Sequence, residues 1–181
     1  AYSDLFVFDK IGDKVLTYIN NGCPAADTTY TYAPQYESLF PADLFSWALI
    51  RDYNHDSIPD IFTHANTGIK VYKGSYQAGL LHFDLVSDLL LYRDGQFNVN
   101  IWTSLDDIPV ITDVNFDGDL DILSYGITGT QIEYFENQTV EHPGNAAYDV
   151  DSFKYISASL CWGNIAQNAL SNSIVLNSSC K

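Results

Sequence analysis

The chain has 181 residues, a formal net charge of −15 and an apolar share of 46%, enough for one domain with its own core and too apolar for a disordered segment. No basic stripe exists to meet phosphates, which excludes nucleic acid and an anionic membrane surface as partners. No run of about 18 apolar residues appears, so membrane insertion through a helix is not expected.

Aromatic usage favours strands: 13 Tyr and 10 Phe stand beside no Met, and tyrosine, phenylalanine and β-branched residues fit a pleated surface. The chain opens on "SDLFVFDKIGDKVLTYINNG", which reads as an acid, an apolar strand, a Gly12-Asp13 turn and a second strand. Residues 23–47 are rich in Thr, Tyr, Ala and Pro. Their one helical candidate, Tyr36 to Phe45, is interrupted by Pro41.

Next comes "WALIRD", a strand entering an acidic loop, and then "DSIPDIFTHANTGIKVYKGS". Residues 75–104 supply further strand-like pieces, among them "LLHFDLV" and "DLLLYR". A second entering strand, "IPVITD", leads into "DGDLDILSYGITGTQIEYFENQ". The Asn- and Ser-rich tail, 138–181, has no acidic loop and reads as an atypical unit.

These pieces are a repeat. Asp4, Asp60 and Asp121 each precede a first strand, 56 and 61 residues apart. The second strands align as Leu16–Asn21, Ile69–Gly74 and Ile132–Asn137, with Thr67-Gly68 and Thr128-Gly129 as the linking turns. All of this predicts an all-β chain with repeat units at about 1–22, 47–74 and 106–137 within one segment spanning 1–181.

Two acidic loops carry the chemistry. Loop one offers Asp52, Asn54, Asp56, Ile58 and Asp60; loop two offers Asp113, Asn115, Asp117, Asp119 and Asp121. Side-chain oxygens fall at positions 1, 3, 5 and 9, and position 7 (Ile58 or Asp119) is expected to add its backbone carbonyl. Calcium takes six to eight oxygens at about 2.3–2.6 Å, and a tight loop of this kind supplies most of them. Two Ca2+ sites are therefore expected. Position 12 is Thr63 or Ser124 where an EF-hand needs Glu, and strands rather than helices follow. No Cys or His stands at a ligand position, so zinc is not supported.

The stretches "RDYNHDSIPDIFTHANTGIKVYKG" and "TDVNFDGDLDILSYGITGTQIEYFEN" resemble the FG-GAP and VCBS repeats, the calcium-loop blades of integrin-type β-propellers. The start of the chain looks like the same blade without its loop. Chain-wide features also look like large secreted Bacteroidetes proteins of the type nine secretion kind. The resemblance implies a partial or open β-propeller of antiparallel blades, with calcium-binding loops between strands. It implies a secreted or cell-surface role in adhesion, ligand binding or scaffolding. A propeller needs at least about four blades to close, so the segment is expected to belong to a longer protein and to meet other blades or chains of one assembly. A surface glycan or a protein ligand is the expected binding partner.

No nucleophile–base motif accompanies the loops. His64 reads as a packed histidine, and Asp106-Asp107 as a polar strand edge with side chains on opposite faces. The alternatives are the propeller part of a polysaccharide-degrading enzyme, with Tyr30, Tyr32, Tyr36, Trp47 and Trp102 stacking on sugars, or a cargo or structural subunit of a secretion or motility complex. Cys161 and Cys180 are the disulfide candidates, with Cys23 left over. Asn137 and Asn177 open sequons, and Thr28 lies in a short O-glycan acceptor pattern.

Overall fold

The computed structural model describes residues 3–22, 29–168, 170–171 and 173–178. β1 (Leu5–Asp9), β2 (Lys14–Asn20) and β3 (Tyr30–Tyr32) form sheet one. β4 (Ala48–Arg51), β5 (Asp60–Ala65), β6 (Gly68–Gln77) and β7 (Leu80–Ser87) form a four-stranded antiparallel meander, sheet two. The hairpin of β8 (Leu91–Asp94) and β9 (Phe97–Asn100) comes before β10 (Val110–Thr112), β11 (Asp121–Tyr125), β12 (Ile132–Asn137) and β13 (Tyr155–Ser159). Together these make sheet three, in the order β10-β11-β12-β13-β8-β9. β14 (Ile165–Gln167) and β15 (Ile174–Leu176) form a small hairpin in the tail.

The all-β expectation holds, and both entering strands, β4 and β10, lead into the acidic loops as expected. One pairing departs from the antiparallel plan: β13 runs parallel to β8. The hairpin that follows sheet two thus extends sheet three, and the tail supplies sheet three with its fourth meander strand. The helical candidate is a 3-10 turn, Pro34–Leu39, that stops before Phe40 and Pro41.

The three sheets stack in one sense, through two cores. Val15, Phe40, Leu44, Ile61, Tyr72 and Phe83 join sheet one to sheet two. Phe62, Ile69, Val71, Ile111, Ile122 and Phe135 join sheet two to sheet three. Consecutive strand residues point to opposite faces, so Ile61 serves the first core while Phe62 serves the second. This explains why β5 is an almost unbroken buried run rather than an alternating one. Each such buried side chain contributes about 1.5–3 kcal/mol.

Backbone pairing makes the repeat explicit. Leu5 faces Tyr18, Ile61 faces Tyr72 and Ile122 faces Phe135, each pair on the two strands that follow an acid. This register corrects the alignment of the first repeat: Val15, not Leu16, matches Ile69, since Val15 is the residue packed into a sheet–sheet core. A one-residue slip moves every side chain to the other face.

The second hairpin turn is also displaced by one. Its turn residues are Asn66 and Thr67, with Asn66 at φ 51, and Gly68 already belongs to β6. A Cβ on Gly68 would lie 2.5 Å from the Leu89 side chain, so glycine is there for close packing. Asp106 and Asp107 sit in a bend region rather than on a strand edge: Asp106 meets Lys10 at 2.8 Å and Asp107 accepts from Ser104 Oγ at 2.6 Å.

Candidate metal centre in the acidic loops

The ninth-position aspartates are scaffold first. Asp60 is fully buried, and its two oxygens accept from Tyr53 N at 3.0 Å and Gly74 N at 2.8 Å. Asp121, also fully buried, accepts from Val114 N at 3.0 Å, Asn137 N at 2.9 Å and the Tyr134 hydroxyl at 3.2 Å. Asp4 repeats half of this, accepting from Asn20 N at 2.9 Å. In every repeat the acid accepts an amide of the second strand, from Asn20, Gly74 or Asn137, which gives the spacing found in the sequence a structural cause. Burial raises the Asp60 pKa to about 6, against the pull of its two amide donors, and raises that of Asp121 as well.

The rest of each loop closes on itself in the same way twice. Asp52 accepts from Asp56 N at 3.1 Å and Ser57 N at 2.9 Å; Asp113 accepts from Asp117 N and Gly118 N, both at 3.1 Å. Asn54 Nδ2 donates to Asp56 at 2.8 Å, and Asn115 Nδ2 donates to Asp117 at 2.5 Å. The fifth-position acids each accept a further amide, Ile58 N at 2.8 Å and Asp119 N at 3.1 Å. Positive φ recurs at matching places: His55 (59°) and Ser57 (66°), Phe116 (65°) and Gly118 (106°). The loops also touch each other. His55 Nε2 donates to the Gly118 carbonyl at 2.7 Å, and the carbonyl, which can only accept, fixes the proton on that nitrogen.

At position 7 the loops part. Ile58 carries no charge. Asp119 turns its carboxylate inward, only 4% exposed, where Oδ2 accepts from Val140 N at 3.3 Å and Oδ1 has no hydrogen-bond partner. The sequence reading assigned Asp119 a carbonyl role; the structure brings its side chain into play instead. Ligand atoms of Asp117, Asp119 and Glu141 lie within 4.8 Å of one another, the one such acidic group among the described residues. Burial, then the Asp117 charge, push the Asp119 pKa up to about 7. Three carboxyl groups converge on one point, and an orphaned, buried oxygen belongs to one of them. A hard divalent cation fits this donor set.

Glu141 was missed by sequence reasoning, since it lies beyond the loop in the segment after β12. The other candidates have no place in this cluster. Asn137 is 6% exposed and its amide donates to the Leu120 carbonyl at 3.3 Å; the folded chain does not offer it to a glycosylating enzyme, which corrects the expectation of a surface sequon there. Asn177 is exposed, at φ 58. Cys161 is disulfide-bonded, while Cys23, Cys180 and Thr28 lie outside the described residues. Trp47 is buried at 2%, whereas Tyr30, Tyr32 and Tyr36 are exposed.

Comparison with protein-family models, with curated proteins and with solved structures returns no match. The functional reading therefore stands on the geometry and on the motif resemblance.

Proposed function

We propose that the chain is a calcium-stabilised, non-catalytic module of a secreted or cell-surface protein, built as a stretch of an FG-GAP/VCBS-type propeller and serving binding or scaffolding. The observation that carries this reading is the recurrence of one loop geometry at the same corner of two stacked sheets, with an acidic cluster beside the second. A cation held by that cluster would tie the loop to its sheet rather than act on a substrate. The histidines support a non-catalytic role: His64 is 2% exposed and hydrogen-bonded to Thr103 at 3.2 Å, and His82 meets Asp84 at 3.2 Å on the surface.

Ligand contact is assigned to a groove of about 620 Å³ where β8 meets β13, lined by Tyr92, Arg93, Gln138, Tyr148 and Lys154 among others. It combines aromatic faces with Arg93, Lys154 and Asp151, which suits a polar ligand such as a glycan. Melting the chain in calcium and in chelator tests the reading. A lower Tm in chelator is expected; unchanged melting with no ion bound would refute it.

A further inference from the structure

The two loops share a backbone, and their charged neighbours differ at matching positions. Lys73 and Glu136 each stand one residue before the amide that the ninth-position aspartate accepts, Gly74 N in one repeat and Asn137 N in the other. At loop one, Lys73 Nζ lies 2.8 Å from Asp151 Oδ2. The Asp151 hydrogen bond raises the Lys73 pKa against the effect of burial, and the charges of Asp56 and Asp60 add to that rise. Loop one thus has an ammonium group within electrostatic reach of its own carboxylates.

At loop two the matching residue is another acid. Glu136 accepts from Asn115 Nδ2 at 3.2 Å. Asp119 and Glu141 add two further carboxylates around Asp117. Every carboxylate oxygen of Asp52, Asp56 and Asp60 accepts a hydrogen bond, and so does every one of Asp113, Asp117 and Asp121. The buried Asp119 Oδ1 accepts none. A buried carboxylate oxygen with no hydrogen-bond partner, set beside two further carboxylates, favours a positive partner, and loop two contains no lysine or arginine.

We infer that the chain holds one calcium-class cation, not two: it sits at loop two among the carboxylates of Asp117, Asp119 and Glu141, while loop one, with Ile58 in place of Asp119 and the Lys73–Asp151 ion pair at its edge, holds none. The ion would tie loop two to the 138–141 segment, since Glu141 comes from outside the motif. This rests on reading the loops as calcium-class elements.

Calorimetric titration of the intact chain with CaCl2 tests it, with the variants Glu141→Gln, Asp119→Asn and Asp56→Asn titrated alongside. Glu141 is exposed, so its variant keeps the fold, and circular dichroism confirms this for each protein. The expected result is one ion per chain, affinity lowered by about tenfold or more in Glu141→Gln and Asp119→Asn, and no change in Asp56→Asn. Two ions per chain, or a loss in Asp56→Asn equal to that in Glu141→Gln, would overturn the inference and leave the calcium-stabilised reading standing. No binding by the unmodified chain would overturn both.

Discussion

Residues 52–60 and 113–121 follow the same path and share their amide-to-aspartate hydrogen bonds, yet they sit in different electrostatic surroundings. The first has Lys73 and Asp151 beside it; the second has Asp119, Glu136 and Glu141. A shared backbone therefore reports a shared structural task, the pinning of loop to sheet by a buried aspartate. It does not report a shared ion. The difference lies in side chains at the edge of the motif and beyond it, where charge is set independently of the loop's shape.

The largest effect should come from what the loops have in common. Asp60→Ala and Asp121→Ala each leave two backbone N–H groups unpaired in a buried place, which costs about 3 kcal/mol or more. Urea unfolding in chelator should show similar losses for both. A loss confined to one variant would break the claim that the two aspartates do the same work.

The next effect separates the loops. Glu136→Lys places at loop two the charge that loop one already has. Its calcium-dependent stabilisation should fall by about 1.4 kcal/mol, the equivalent of a tenfold weaker ion. Lys73→Glu should give loop one a calcium response it lacks. Melting each variant with and without calcium reads both, and an unchanged response in Glu136→Lys would argue against the charge account.

Position 6 offers a smaller and purely conformational contrast. Gly118 sits at φ 106 with nothing within 4 Å of an added Cβ, whereas Ser57 holds φ 66 with its side chain in place. Gly118→Ala should cost about 1 kcal/mol through the backbone alone, and Ser57→Gly should gain about 0.5 kcal/mol or less. Equilibrium unfolding of the pair checks the signs, and a gain in Gly118→Ala would contradict them.

The smallest effect is a pH dependence at loop one. Burial works against the charge of Asp151, but hydrogen bonds from Lys73 and Tyr53 outweigh it and hold the carboxyl below its usual range. A lowered folded-state pKa gives stability that is present above the unfolded value of about 3.9 and is lost as pH falls through the folded one. Asp151→Asn should flatten that acid limb in a pH series of unfolding curves, with or without calcium. An acid limb identical to that of the unmodified chain would exclude the contribution.

Much of this was legible in the sequence. The repeat, the entering strands and the acid before each first strand follow from spacing, because an aspartate that accepts an amide of the second strand tolerates little drift between the two. The charge contrast was legible too: "IKVYKG" and "IEYFEN" differ by a lysine and a glutamate at each of two matching positions, and Lys73 against Glu136 is one of those pairs. Glu141 was not, since only the path of the chain after β12 brings it to Asp117. Nor was the parallel pairing of β13 with β8, because two short strands about sixty residues apart carry no periodic mark of their partnership.

On this reading one motif shape serves two charge solutions. Anomalous diffraction from crystals grown with calcium tests it most directly. A single peak per chain is expected, bounded by Asp117, Asp119 and Glu141, with none between Asp52 and Asp56. A peak of equal strength in loop one, or a peak in loop two remote from Glu141, would contradict it.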